Sequence, residues 1–127
     1  MKRRLISSAQ PREQVYAYSR AVVENGRVHV AGTAPTMPDD ADPPREAAGQ
    51  MRRCLEIVEA ALREAGTSMD NVVRTRVYLT RAEDADAVGR VHGEFFAQAR
   101  PVMTGVVVAA LLDPRWLVEI EADAILP

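Results

Sequence analysis

ARPVMTGVVVAALLDPRWLVEIEADA, residues 99–124, decides how the chain is read. Two apolar-rich segments flank Asp113-Pro114-Arg115, so the stretch predicts strand, turn, strand, a hairpin. In its second arm Glu119, Glu121 and Asp123 alternate with Val118, Ile120, Ala122 and Ala124. Successive strand side chains point to opposite faces, so the three carboxylates share one face. Met103 and Thr104 stand in the first arm, opposite that row. The row is either the edge of a reaction site or a wetted face.

Val106–Leu112, in the first arm, is apolar on both faces. Such a run suits a strand buried on both sides. Two helices, read below, cover one side of a single sheet. The other side calls for a second copy of the chain, which predicts an oligomer.

Upstream, Ser19–Glu24 and Arg27–Ala31 flank Asn25-Gly26. Both central residues of a type I′ turn need positive φ, and Asn-Gly tolerates it, so a β-hairpin is predicted. Thr33–Pro44 holds four of the chain's eight prolines and three aspartates, and reads as a loop. A helix follows, with Asp42 as its cap and Pro43-Pro44 in its first turn. Met51, Leu55, Val58 and Leu62 form its buried stripe, and Gly66 ends it.

Asn71–Leu79 reads as a strand with Val73, Thr75, Val77 and Leu79 on one face and Arg74, Arg76 and Tyr78 on the other. Thr80–Glu83 matches a capping box. Ala85, Val88, His92, Phe95 and Phe96 then track one side of a second helix, which Arg100-Pro101 ends. The order is ββαβαββ, an α+β fold in one domain spanning residues 1–127. If the Asn71–Leu79 strand neighbours the last one, Arg74 and Arg76 can pair with Glu119 or Glu121, which explains the row as structure.

Bulk properties narrow the chemistry. The 127 residues are 47% hydrophobic and 27% charged, as in an ordinary globular domain. A net charge of −2 and a pI of about 5.7 argue against a nucleic-acid binder. Cys54 is the lone cysteine, which excludes an intrachain disulfide and favours a reducing compartment. MKRRLISS has no apolar core for a secretory signal, and Val106–Leu112 is too short to span a bilayer. A cytoplasmic address with no membrane partner is expected. Two histidines and one cysteine make a poor zinc set, so no metal is expected. Neither a Gly-rich phosphate loop nor a serine-hydrolase elbow is present. Cys54, beside the helical stripe, reads as a buried, inert thiol.

Tyr18-Ser-Arg-Ala-Val22 before the Asn-Gly turn, Val30-Ala-Gly32, Asn71–Leu79, His92-Gly-Glu-Phe-Phe96, Arg100-Pro101 and Val118-Glu-Ile-Glu-Ala122 occur in an order and spacing that resemble the RidA (YjgF), or L-PSP endoribonuclease-like, family. The resemblance covers nearly the whole chain. It implies a chorismate-mutase-like fold, with two helices on one face of a mixed sheet, and a homotrimer with a small-molecule cleft between subunits. It also implies hydrolysis of reactive imines and enamines to keto acids and ammonia, with no metal and no organic cofactor.

By the same resemblance Glu119 is the water-positioning catalytic acid, while Tyr18, Ala31, Gly32, Met103 and Thr104 line the substrate site. Two positions depart from the family pattern. Met103 stands where active members carry a carboxylate-binding arginine, and Ala31 stands where they carry a small hydroxyl residue. A thioether cannot make the paired, charge-assisted bonds of a guanidinium, so deaminase activity is expected to be reduced or altered. Arg100, Arg115 or a neighbouring chain's Arg20 are the candidate substitutes. The alternative is a non-catalytic trimer that binds a metabolite or acts as a chaperone-like or regulatory partner. An RNA-cleaving role lacks a histidine pair and a basic patch.

Overall fold

The computed structural model describes residues 2–127. The Asn-Gly hairpin forms as the turn chemistry requires. Asn25 and Gly26 sit at φ 55° and 72°, and Glu24 faces Arg27 across β2 (Ala21–Glu24) and β3 (Arg27–Thr33). Val28 and Val30 point into the core, while Arg27 and His29 point out.

The first long helix, α2, runs Ala47–Ala65, later than Asp42 and Pro43-Pro44 suggested. The residue before a proline is driven out of the α region, so Asp42 and Pro43 cannot start a helix. Asp42 instead pairs with Arg115 at 3.0 Å. Buried Gln50 ties the extended lead-in down: its amide donates to the Pro44 and Arg115 carbonyls, and its oxygen accepts from Leu117 N–H. The expected stripe is fully buried at Met51, Leu55, Val58 and Leu62. Gly66, at φ 97°, ends the helix, and Thr67 N–H closes the turn onto the Leu62 carbonyl.

β4 (Val72–Leu79) carries a bulge between Val72 and Arg74. It turns Val73 outward and puts Val72 into the core, reversing the assignment that strict alternation gave Val73. Thr75, Val77 and Leu79 face inward as expected. The Thr80–Glu83 capping box does not form. Arg81 clamps Asp84 at 3.0 Å across a short 3₁₀ turn, and α3 begins at Ala85. Ala85 itself is exposed, and Val91 takes the place in the buried stripe that it was given. His92 is buried against Thr75 Oγ1 at 2.8 Å and against the Phe96 ring, and burial holds its pKa below the usual imidazole range.

Two elements carry no long pattern and lie outside the ββαβαββ order. β1 (Arg4–Ile6) pairs with β2, and α1 (Pro11–Tyr16) follows it, giving βαββαβαββ overall. Glu13 is buried inside α1. Burial raises its pKa, but hydrogen bonds from Ser7 and Ser8 outweigh that and hold it below the ordinary carboxylate value.

The six strands form one mixed sheet in the order β1-β2-β3-β6-β4-β5. β5 (Val102–Val107) and β6 (Val118–Ile125) are therefore not a hairpin. β4 lies between them, antiparallel to β6 and parallel to β5. Nor is Val106–Leu112 a strand buried on both faces. β5 starts earlier and stops at Val107; it is an edge strand, and all six of its residues are exposed. Leu112, in the loop beyond, is 86% exposed. The α2 and α3 side of the sheet holds the core.

Candidate functional site

β6 presents the carboxylate row on the face away from α2 and α3, and its neighbours decide each acid's fate. Across β4, Arg76 faces Glu121 and Arg74 faces Asp123. Arg76 Nη1 lies 3.7 Å from Glu121 and 3.6 Å from Asp123. Tyr78 Oη donates to Glu121 at 2.6 Å, a bond that keeps the phenol protonated and raises its pKa. On the β3 side, His29 Nδ1 sits 3.0 Å from Asp123. Glu121 and Asp123 are thus committed to a structural network.

Glu119 is different. Its carboxylate makes no hydrogen bond or ion pair with any other described residue. It leans on β3 where a bulge between Val30 and Thr33 brings Gly32 alongside. A Cβ on Gly32 would stand 2.5 Å from Glu119 Oε2, so only glycine leaves room for the acid. Burial raises the Glu119 pKa. The Arg20 charge draws it back down, and Glu121 adds a smaller upward push.

Glu119 and Gly32 open on a cavity of about 630 Å³, also lined by Tyr18, Arg20, Ala31, Arg53, Ile57 and Trp116. The stretch from Ser8 through α1 to Arg20, the β3 bulge with the loop after it, one side of α2 and the approach to β6 build it. Arg20 fastens the bulge, its Nη2 reaching the Ala31 and Gly32 carbonyls at 2.8 and 2.9 Å and Thr33 Oγ1 at 2.8 Å. Trp116 is buried and forms part of the wall. Cys54 is buried beneath β6, and burial together with the nearby Glu119 charge pushes its thiol far above the usual range. It is inert.

The model of the endoribonuclease L-PSP family matches residues 8–126. The chain belongs to that family. A crystal structure from Mycobacterium tuberculosis, of a member of the YjgF/YER057c/UK114 family, superposes with a TM-score of 0.90 at 41% identity, covering 98% of this chain and 100% of that one. An uncharacterized Streptomyces coelicolor protein is 38% identical over 125 residues, 95% of this chain and 90% of its own. A goat protein named 2-iminobutanoate/2-iminopropanoate deaminase is 30% identical over 125 residues, 97% of this chain and 90% of its own.

Of the residues that the L-PSP resemblance assigned to the site, Tyr18, Ala31, Gly32 and Glu119 meet in the one cavity. Tyr18 reaches it from the turn after α1 and not from a strand. Met103 and Thr104 do not join them within the chain. Both are on β5, separated from β6 by β4, and they point oppositely. Met103 is in register with inward-facing Thr75, and Thr104 with Arg76 on the open face. Among the candidate arginines, Arg115 is tied to Asp113, Asp40 and Asp42 at 2.8–3.0 Å, and Arg100 is exposed and outside the cavity lining. Arg20 lines the cavity of its own chain, a placement that sequence spacing alone does not reveal.

Among the described residues no helix is long and apolar enough to cross a membrane.

Proposed function

We propose that the protein is a small-molecule hydrolase that acts on an imine or enamine in the Glu119 cavity. The observation that carries this reading is the single uncommitted carboxylate of the row, half-buried against Gly32 in the cavity. A carboxylate in that setting is a stronger base than one in water, as general-base work at neutral pH needs. Glu119 takes a proton from water as its oxygen attacks the C=N carbon, and returns it to the nitrogen. It then carries the proton of the new hydroxyl to the same nitrogen as the tetrahedral adduct collapses and the C–N bond breaks, which leaves Glu119 ionised again. Ammonia leaves, and a carbonyl compound remains. The name of the goat relative supports the reaction class. RNA cleavage is the poorer fit, since His29 on the open face and His92 against Thr75 under α3 cannot serve one phosphate as acid and base.

Three copies are proposed to assemble, with the ligand cleft between subunits. The uncovered edge strand supports this: Val102, Met103, Val106 and Val107 are 42–56% exposed, an apolar stripe that a neighbouring chain would cover. Light scattering should give about 42 kDa, three times the 13.9 kDa chain. A monodisperse monomer at micromolar concentration would refute the assembly.

In such a trimer Met103 reaches the cleft from a neighbour's β5. With methionine in place of arginine, deamination of 2-imino acids is expected to be weak. The test traps the imine of leucine or methionine, released by an amino-acid oxidase, as its semicarbazone. Wild-type protein should lower the trapped yield modestly, and Met103→Arg should raise the hydrolysis rate about ten-fold, the gain from one charged contact. Efficient wild-type hydrolysis that Met103→Arg does not improve would show that Met103 is not a missing anchor. No hydrolysis by either protein would favour the non-catalytic binding trimer.

A further inference from the structure

The Glu119 cavity contains a cation whose capacity is not used up. Arg20 spends Nη2 on the β3 bulge. Its Nε is buried and has no hydrogen-bond partner. Its Nη1 has none among the described residues, and no carboxylate lies within ion-pair distance of the guanidinium.

The other two arginines of the lining differ. Arg53 donates through Nε to the Thr36 carbonyl at 2.7 Å and through Nη1 to Glu56 at 3.4 Å, while Arg12 lies exposed at the mouth. Glu13, the remaining acid of the cavity, is occupied by Ser7 and Ser8. A desolvated guanidinium with idle donors is costly unless something anionic completes it. The same side chain also borders a second cavity, of about 420 Å³, between the β1 end and α2, together with Ser8, Arg53 and Ile57.

We infer that Arg20 is the carboxylate-binding residue of the Glu119 cavity, holding the acid group of the ligand from within the same chain. It is anchored by Nη2 to the bulge that also places Gly32 against Glu119. The charge and the base are therefore both placed against the β3 bulge, with Nη1 left to meet a carboxylate. The arrangement selects small ligands that carry a carboxylate near the reacting carbon. The inference rests on the hydrolase reading for the reaction, but not for the binding.

The test separates the two. Binding of 2-oxobutanoate, the carbonyl counterpart of a 2-imino acid, and of its uncharged methyl ester is titrated by NMR. The proteins are wild type, Arg20→Gln, Arg20→Lys, Arg12→Gln and Arg53→Gln. Wild type should prefer the carboxylate. Arg20→Gln should weaken the carboxylate about ten-fold or more and the ester less than two-fold, as loss of a charge-assisted pair requires. Arg12→Gln and Arg53→Gln should change both less than three-fold.

If Arg20→Gln fails to fold, Arg20→Lys serves. Its ammonium cannot hold the bulge carbonyls and pair with a ligand at once, so the carboxylate should weaken three-fold or more with the ester unmoved. Equal loss of both probes would assign Arg20 a purely structural role and overturn the inference, as would unchanged carboxylate binding or a wild type with no preference for it. Wild-type protein that binds the carboxylate through Arg20 yet hydrolyses no imine would leave this inference standing and remove the hydrolase reading.

Discussion

Glu119→Gln is expected to lower imine hydrolysis by about a hundred-fold or more, the usual worth of a positioned proton-transfer group. Folding and assembly should be unaffected. The argument is one of commitment. Glu121 and Asp123 are held by Arg76, Tyr78 and His29, so removing either charge disturbs a network. Glu119 holds nothing in place. Its burial penalises the ionised form, so a neutral amide of the same shape loses no partner and relieves desolvation. The thermal midpoint of Glu119→Gln should equal or slightly exceed that of the wild type, whereas Glu121→Gln should lower it. A Glu119→Gln protein with half or more of the wild-type rate would show that the acid is not the working group.

Gly32→Ala should be nearly as damaging to activity, for a steric reason. The added Cβ would begin 2.5 Å from Glu119 Oε2, closer than atoms pack, so the carboxylate must move. The obstacle is the end of a flexible side chain, so the fold survives, at a cost of about 1 kcal/mol, the low end for overpacking. A displacement of about an ångström at a reacting group can cost up to a hundred-fold, and a loss of at least ten-fold in kcat/KM is expected. In a Glu119→Gln background the same alanine should add little, because the two changes act on one group. Fully additive losses would mean that Gly32 matters through backbone shape and not through Glu119.

Local chemistry made much of this chain legible. Asn25-Gly26 demands its turn, the Met51–Leu62 stripe demands a buried helix, and Gly66 demands a left-handed end. The alternation of Val118–Ala124 placed the three acids on one face; Arg76 of β4 proved to be the partner of two of them, Glu121 and Asp123, while Glu119 stayed unpaired.

The failures share a cause. Period-two patterns mark a strand but not its neighbour, so residues 99–124 read as a hairpin although β4 inserts between the two arms. The apolar run after Gly105 looked like a core strand because hydropathy cannot tell a core from an uncovered edge. Bulges evade alternation too. One exchanged Val72 for Val73, and another brought Gly32 to Glu119. Arg20 was visible only as part of a resemblance, since its value depends on which carbonyls it meets and which of its nitrogens stay free.

The most direct test of the account is the pH dependence of kcat/KM for imine hydrolysis, corrected for the buffer reaction. Glu119 must be ionised to accept the water proton, and burial raises its pKa, so activity should fall as pH drops through a midpoint above the ordinary carboxylate value of about 4.3. Glu119→Gln should remove that acid limb along with the rate. An acid limb that survives unchanged in Glu119→Gln, or a wild-type rate equal to buffer at every pH, would contradict it.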